Sequence, residues 1–145
     1  MFTVSDIAER IKRPDEEVGQ AITRVRNWTK EGLIYPVGQA NPGTGRAREY
    51  SQEALIDAFL IDAFVQCFGS AAVSVPQYLK RIRYFFSDAN QRNKLLIIGR
   101  TPGRKDFQAN SYRPSELAAA LRSLGWEMYM VLDIGPLVKR LGLEG

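Results

Sequence analysis

The chain has 145 residues, 45% hydrophobic and 25% charged, with a net charge of +4. That length holds one core with a compact extension and excludes a large enzyme. One cysteine and no histidine exclude an internal disulfide, the usual zinc ligand sets and every Ser-His or Cys-His nucleophile pair. No apolar run approaches a membrane span, and residues 1–6 lack the basic and apolar regions of a secretion signal. A cytoplasmic protein with no membrane contact, no metal and no other cofactor is expected.

Thr3 to Asp6 has the spacing of a capping box, and Ile7, Ala8 and Ile11 recur at helical spacing. A short first helix is predicted, stopped by Lys12-Arg13-Pro14. Asp15, Glu16 and Glu17 read as the acidic start of a second helix, whose apolar positions Val18, Ile22, Val25 and Trp28 form a one-sided stripe. Its opposite face is read as Gln20, Arg24, Asn27 and either Lys30 or Glu31, with Gly32 as a left-handed terminator. Residues 36–45 are dense in turn formers and lead into Arg46-Ala47-Arg48-Glu49-Tyr50, which predicts a β-hairpin, or wing, with Tyr50 as its structural pin. Ser51 caps a third helix in which Leu55, Phe59, Ile61, Phe64, Val65 and Phe68 predict burial, with Cys67 an inert buried residue.

Val75-Pro76 opens a fourth helix with Leu79, Ile82 and Phe86 on one side; Lys80, Arg81 and Arg83 read as its solvated rim in preference to a nucleic-acid surface. Residues 94–99 and 126–132 are predicted strands around an alanine-rich helix at 113–124, and 136–141 a last helix. Strand, helix, strand predicts a crossover with its two strands parallel. The basic loop Gly99 to Lys105 lacks the Gly-Lys-Ser/Thr ending of a phosphate loop, which disfavours nucleotide hydrolysis and leaves an ordinary solvated loop or an anion contact.

Charge is unevenly spread. Between Arg24 and Arg48, Arg24, Arg26, Lys30, Arg46 and Arg48 face a single acid, Glu31, whereas residues 51–68 hold Glu53, Asp57 and Asp62 with no base. A short helix followed by an amphipathic helix with a basic outer face makes a helix-turn-helix plausible. The sequence therefore predicts an α+β, mostly α chain: a winged helix-turn-helix over residues 1–90 and a small C-terminal β-α-β unit over 91–145.

Three stretches carry a family resemblance. Thr3-Val4-Ser5-Asp6-Ile7-Ala8 resembles the opening helix of MerR-type transcriptional regulators. Val25-Arg26-Asn27-Trp28-Thr29-Lys30-Glu31-Gly32-Leu33-Ile34 is similar to that family's Leu-Arg-Tyr-Tyr-Glu-x-x-Gly-Leu-Leu, and Arg46-Ala47-Arg48-Glu49-Tyr50-Ser51 to its wing-closing Tyr-Arg-x-Tyr-Ser. The resemblance covers about the first 85 residues. Asn27 departs from the first tyrosine, the family's long dimerising helix and paired sensor cysteines are not visible, and the stretch between Ala8 and Arg26 is several residues longer. That surplus predicts a second helix extended by about two turns at its start.

The resemblance implies a sequence-specific DNA-binding transcriptional regulator, with double-stranded DNA as partner. Arg26 and Trp28 occupy the places that approach the DNA backbone, although Trp28 reads equally well as core. Arg24 and Asn27 suit base edges, Lys30 suits phosphates, and Arg46 and Arg48 suit the flanking backbone or minor groove. A homodimer is expected, its C-terminal unit serving dimerisation, effector sensing or contact with a protein partner. The alternatives are an excisionase-like DNA-architecture protein of a phage or mobile element, and a winged-helix protein-interaction adaptor.

Overall fold

The computed structural model describes residues 1–38, 47–69, 76–100, 102–103 and 107–143. The chain is α+β and mostly helical, in the order α1 (Val4–Ile11), α2 (Val18–Lys30), α3 (Gln52–Phe68), α4 (Pro76–Ser87), β1 (Leu95–Arg100), β2 (Phe107–Tyr112), α5 (Leu117–Leu124), β3 (Met128–Asp133) and α6 (Ile134–Leu141). It divides into two compact units, Met1–Leu79 and Lys80–Gly145, the division falling inside α4.

In the first unit the capping box of α1 forms: the Thr3 N–H donates to Asp6 Oδ2 (2.8 Å) and the Asp6 N–H to Thr3 Oγ1 (3.1 Å). Ile7, Ala8 and Ile11 are buried on one side of α1, which packs against α2 and α3. The helix stops at Lys12, and α2 runs over Val18–Lys30, two turns of it preceding Arg26, with residues 12–17 as the connection. There the Arg13 N–H donates to Glu16 Oε1 (2.8 Å) and closes a turn in which Asp15 and Glu16 precede the helix. Gly32, at φ +75°, ends the second helix, and the Leu33 N–H donates back to Trp28 O (2.8 Å).

Ser51 Oγ accepts from the Ala54 N–H (3.2 Å) and starts α3, which is buried without a break from Ala54 to Asp62. At its last turn Val65, Gln66 and Cys67 emerge, so Cys67 is exposed and not the buried residue expected; partial desolvation still pushes its thiol up.

The second unit corrects the expected parallel pair. Its sheet is antiparallel and three-stranded, in the order β2-β1-β3, with Ile97 opposite Asn110 on one side and Val131 on the other. The strand Phe107–Tyr112 was not expected: its buried Phe107 and Ala109 alternate with Gln108 and Asn110, a polar edge pattern without an apolar run. It reverses the chain before α5, so the crossover joins β2 to β3, which are parallel to each other with β1 between them. Ile97 packs with Ala120 and Trp126 on one face of the sheet. Gly99 permits that close approach, since an added Cβ would collide with Trp126 Cε3 and lie 2.7 Å from Met128 O.

Candidate nucleic-acid interface

Helical spacing gives α2 two unlike sides. Ala21, Val25, Trp28 and Thr29 are buried, whereas Gly19, Gln20, Thr23, Arg26, Asn27 and Lys30 are exposed. Positions 19, 23, 26 and 30 follow one another at helical intervals of four, three and four, so Gly19, Thr23, Arg26 and Lys30 form one row, with Gln20 and Asn27 beside it. The row is short and polar, with its two positive charges toward the C-terminal end of the helix; the Thr23 hydroxyl donates to Gly19 O (3.0 Å) and Gln20 Oε1 accepts from the Glu17 N–H (3.0 Å). No space inside the protein explains Gly19: an added Cβ there would meet nothing within 4 Å. A glycine inside a helix costs roughly 0.5–1 kcal/mol relative to alanine.

The segment between α2 and α3 is anchored at its described ends. The Val37 N–H donates to Glu49 O (2.7 Å), and Tyr50 pairs with Phe2 in an antiparallel bridge of two backbone bonds, at 2.9 and 2.7 Å. Tyr50 is fully buried, and its hydroxyl lies 2.7 Å from Thr29 Oγ1. Because the single Thr29 hydroxyl proton is donated to Val25 O (2.9 Å), the tyrosine is the donor of the pair. Tyr50 thus pins the returning segment to the last turn of α2. Arg48, two residues earlier, is half-buried, and Tyr35 on the outgoing side is exposed.

Of the seven residues singled out from the sequence, Arg26, Asn27 and Lys30 come together on the exposed side of α2. Arg48 sits on the neighbouring segment, and Arg46 lies outside the described residues. Two assignments are corrected. Trp28 is 8% exposed and belongs to the buried side of the helix, as a large aromatic at core spacing does. Arg24 is not presented outward to test bases, because both of its terminal nitrogens donate to Glu16, each at 2.5 Å, and its Nε lies 3.2 Å from Asp62 Oδ1.

Arg24 is one corner of a four-charge cluster. The Arg13 guanidinium donates to the same Asp62 Oδ1 (2.8 Å), and Gln66 Nε2 to Asp62 Oδ2 (2.8 Å). The Asp62 side chain is 4% exposed, that of Glu16 9% and that of Arg24 19%. The bidentate Arg24 guanidinium holds the Glu16 carboxyl well below its ordinary value, at about 2, and Arg24 is raised in turn. Two cations and two anions cancel here, so the positive charge facing outward along α2 comes from Arg26 and Lys30.

Sequence reasoning passed over Gly19 and Thr23, although the spacing with Arg26 was available to find both. Glu16 and Asp62 were out of reach, since Asp62 is distant in sequence and only the folded chain sets it beside Arg24. Among the described residues no group of three His, Cys, Asp or Glu side chains is placed to hold a metal, and no helix is long and apolar enough to cross a membrane. A scan against protein-family models finds no match for this chain, and no curated protein matches it.

Proposed function

We propose that the chain is a sequence-specific DNA-binding transcriptional regulator that lays the exposed side of α2 into the major groove, with the segment between α2 and α3 as a wing on the flanking backbone. The observation that carries this reading is the row on α2: Arg26 and Lys30 follow Thr23 at helical spacing, with Asn27 and Gln20 alongside, on a helix whose other side is packed. Arg26 and Lys30 take phosphates and Asn27 takes an adenine edge, for which its amide has matching donor and acceptor. The similarity to MerR-type regulators at Val25 to Ile34 and at the wing-closing stretch supports the same docking. The reading as a winged helix-turn-helix, a homodimer on a two-fold site, and a cytoplasmic location belong to this proposal; two-fold binding supplies the affinity that a single short helix lacks.

The test is titration with random and selected duplexes across a range of salt. Arg26→Ala and Lys30→Ala weaken every sequence alike, each lowering the salt slope by about 1. Asn27→Ala narrows the gap between selected and random duplexes by about 1–3 kcal/mol. A protein that passes over immobilised duplex DNA at low salt without retention removes the proposal and leaves the adaptor alternative.

A further inference from the structure

The four-charge cluster holds two arginines against two carboxylates. Arg13 and Asp62 tie the α1–α2 connection to α3, and Glu16 and Arg24 form a second pair beside them, joined to the first where Arg24 Nε lies 3.2 Å from Asp62 Oδ1. What distinguishes this second pair is its position: Arg24 lies one helical turn from both Gln20 and Asn27, at the border of the exposed row. It is a long cation held back from that row by a carboxylate. Guanidinium accepts a phosphate in the same bidentate geometry as a carboxylate, so Glu16 and a DNA phosphate are equivalent partners for it.

Resting on the DNA-binding reading of α2, we infer that Glu16 is a built-in competitor for DNA phosphate: it occupies Arg24 and thereby limits sequence-independent binding, leaving discrimination to Asn27 and its neighbours. Were Arg24 free, every duplex would gain one further backbone contact regardless of sequence, which raises non-specific affinity without raising specificity. With Glu16 neutralised, Arg13 and Arg24 share the one carboxylate of Asp62, an excess positive charge at the edge of the row.

The variant Glu16→Gln tests this, because the amide keeps the size of the side chain and an acceptor for the Arg13 N–H. Random-sequence duplex should bind about 3- to 10-fold more tightly, with a salt slope steeper by about 0.9, the signature of one more phosphate contact. The gain should vanish in Glu16→Gln/Arg24→Gln. Arg24→Lys is the second variant: a point charge loses the two-point hold of Glu16 and should shift affinity in the same direction by less. Circular dichroism melting accompanies each measurement. Wild-type protein that binds duplex while neither single variant gains affinity overturns this inference and leaves the DNA-binding reading standing, as does a gain that survives removal of Arg24. If wild-type and Glu16→Gln proteins both ignore duplex DNA, both readings fall together.

Discussion

In the first unit Arg13, Glu16, Arg24 and Asp62 join the α1–α2 connection, α2 and α3, whereas in the second Ile97, Ala120 and Trp126 meet over Gly99. One fastening is ionic and directional; the other is apolar and depends on shape. Buried ion pairs hold geometry at a desolvation penalty, while apolar contact gives stability with little dependence on pH or salt. The unit proposed to read DNA has an apolar core of its own, in which Ile7, Val25, Leu55 and Phe64 are fully buried, and the ion pairs stand beside that core. Each unit is therefore vulnerable at a different kind of contact.

Trp126→Ala should give the largest effect, a loss of about 3–5 kcal/mol, because a large buried side chain leaves a cavity above β1. Hydrogen exchange should place that loss in the amides of β1 and β3, and undiminished protection there would show that the indole is not what holds the sheet. Asp62→Ala should cost about 3 kcal/mol, near the lower end for a broken buried pair since Arg13 is 31% exposed. Its signature is faster exchange in α2 and α3; an unaltered denaturation midpoint would strip the ionic fastening of its stabilising role.

Acid sharpens the contrast. The Glu16 carboxyl titrates at about 2 in the folded protein against 4.5 ordinarily, so its stabilisation is complete above 4.5 and is lost as pH falls toward 2. Exchange along α2 should accelerate through that window before exchange along β1 does, and Glu16→Gln should flatten the α2 response. An identical acid profile in that variant would assign the sensitivity to other carboxylates. The smallest effect has the opposite sign: Gly19→Ala should raise stability by about 0.5–1 kcal/mol. If the α2 row docks on DNA, the same methyl group should weaken binding, since it stands on the docking face. A stabilised variant with undiminished DNA affinity would show that the glycine serves no close approach.

Much of the first unit was legible because its signals are local. The Thr3 to Asp6 box, the Ser51 cap and the Gly32 terminator each act within a few residues, and the Val25 and Trp28 spacing marks the inward side of α2. Arg24 was misjudged for the converse reason: on a helical projection it borders the polar side, and only Glu16 and the distant Asp62 turn it inward. The same limit hid β2, whose Gln108, Asn110 and Ser111 carry little strand preference and which exists as an edge paired to β1. Missing that strand reversed the inferred direction of its neighbour. Cys67 was misplaced because α3 is apolar on nearly all sides up to Phe64, and its composition does not announce where its surroundings end.

The anchorage of Tyr50 has a consequence for engineering. Tyr50 is tied to Thr29 and Phe2, and Val37 to Glu49, so the described ends of the segment between α2 and α3 are held by several separate bonds. Tyr50→Phe should therefore release the segment from Thr29 while the backbone bonds of Phe2 and Val37 stay in place, a graded way to loosen one anchor at a time.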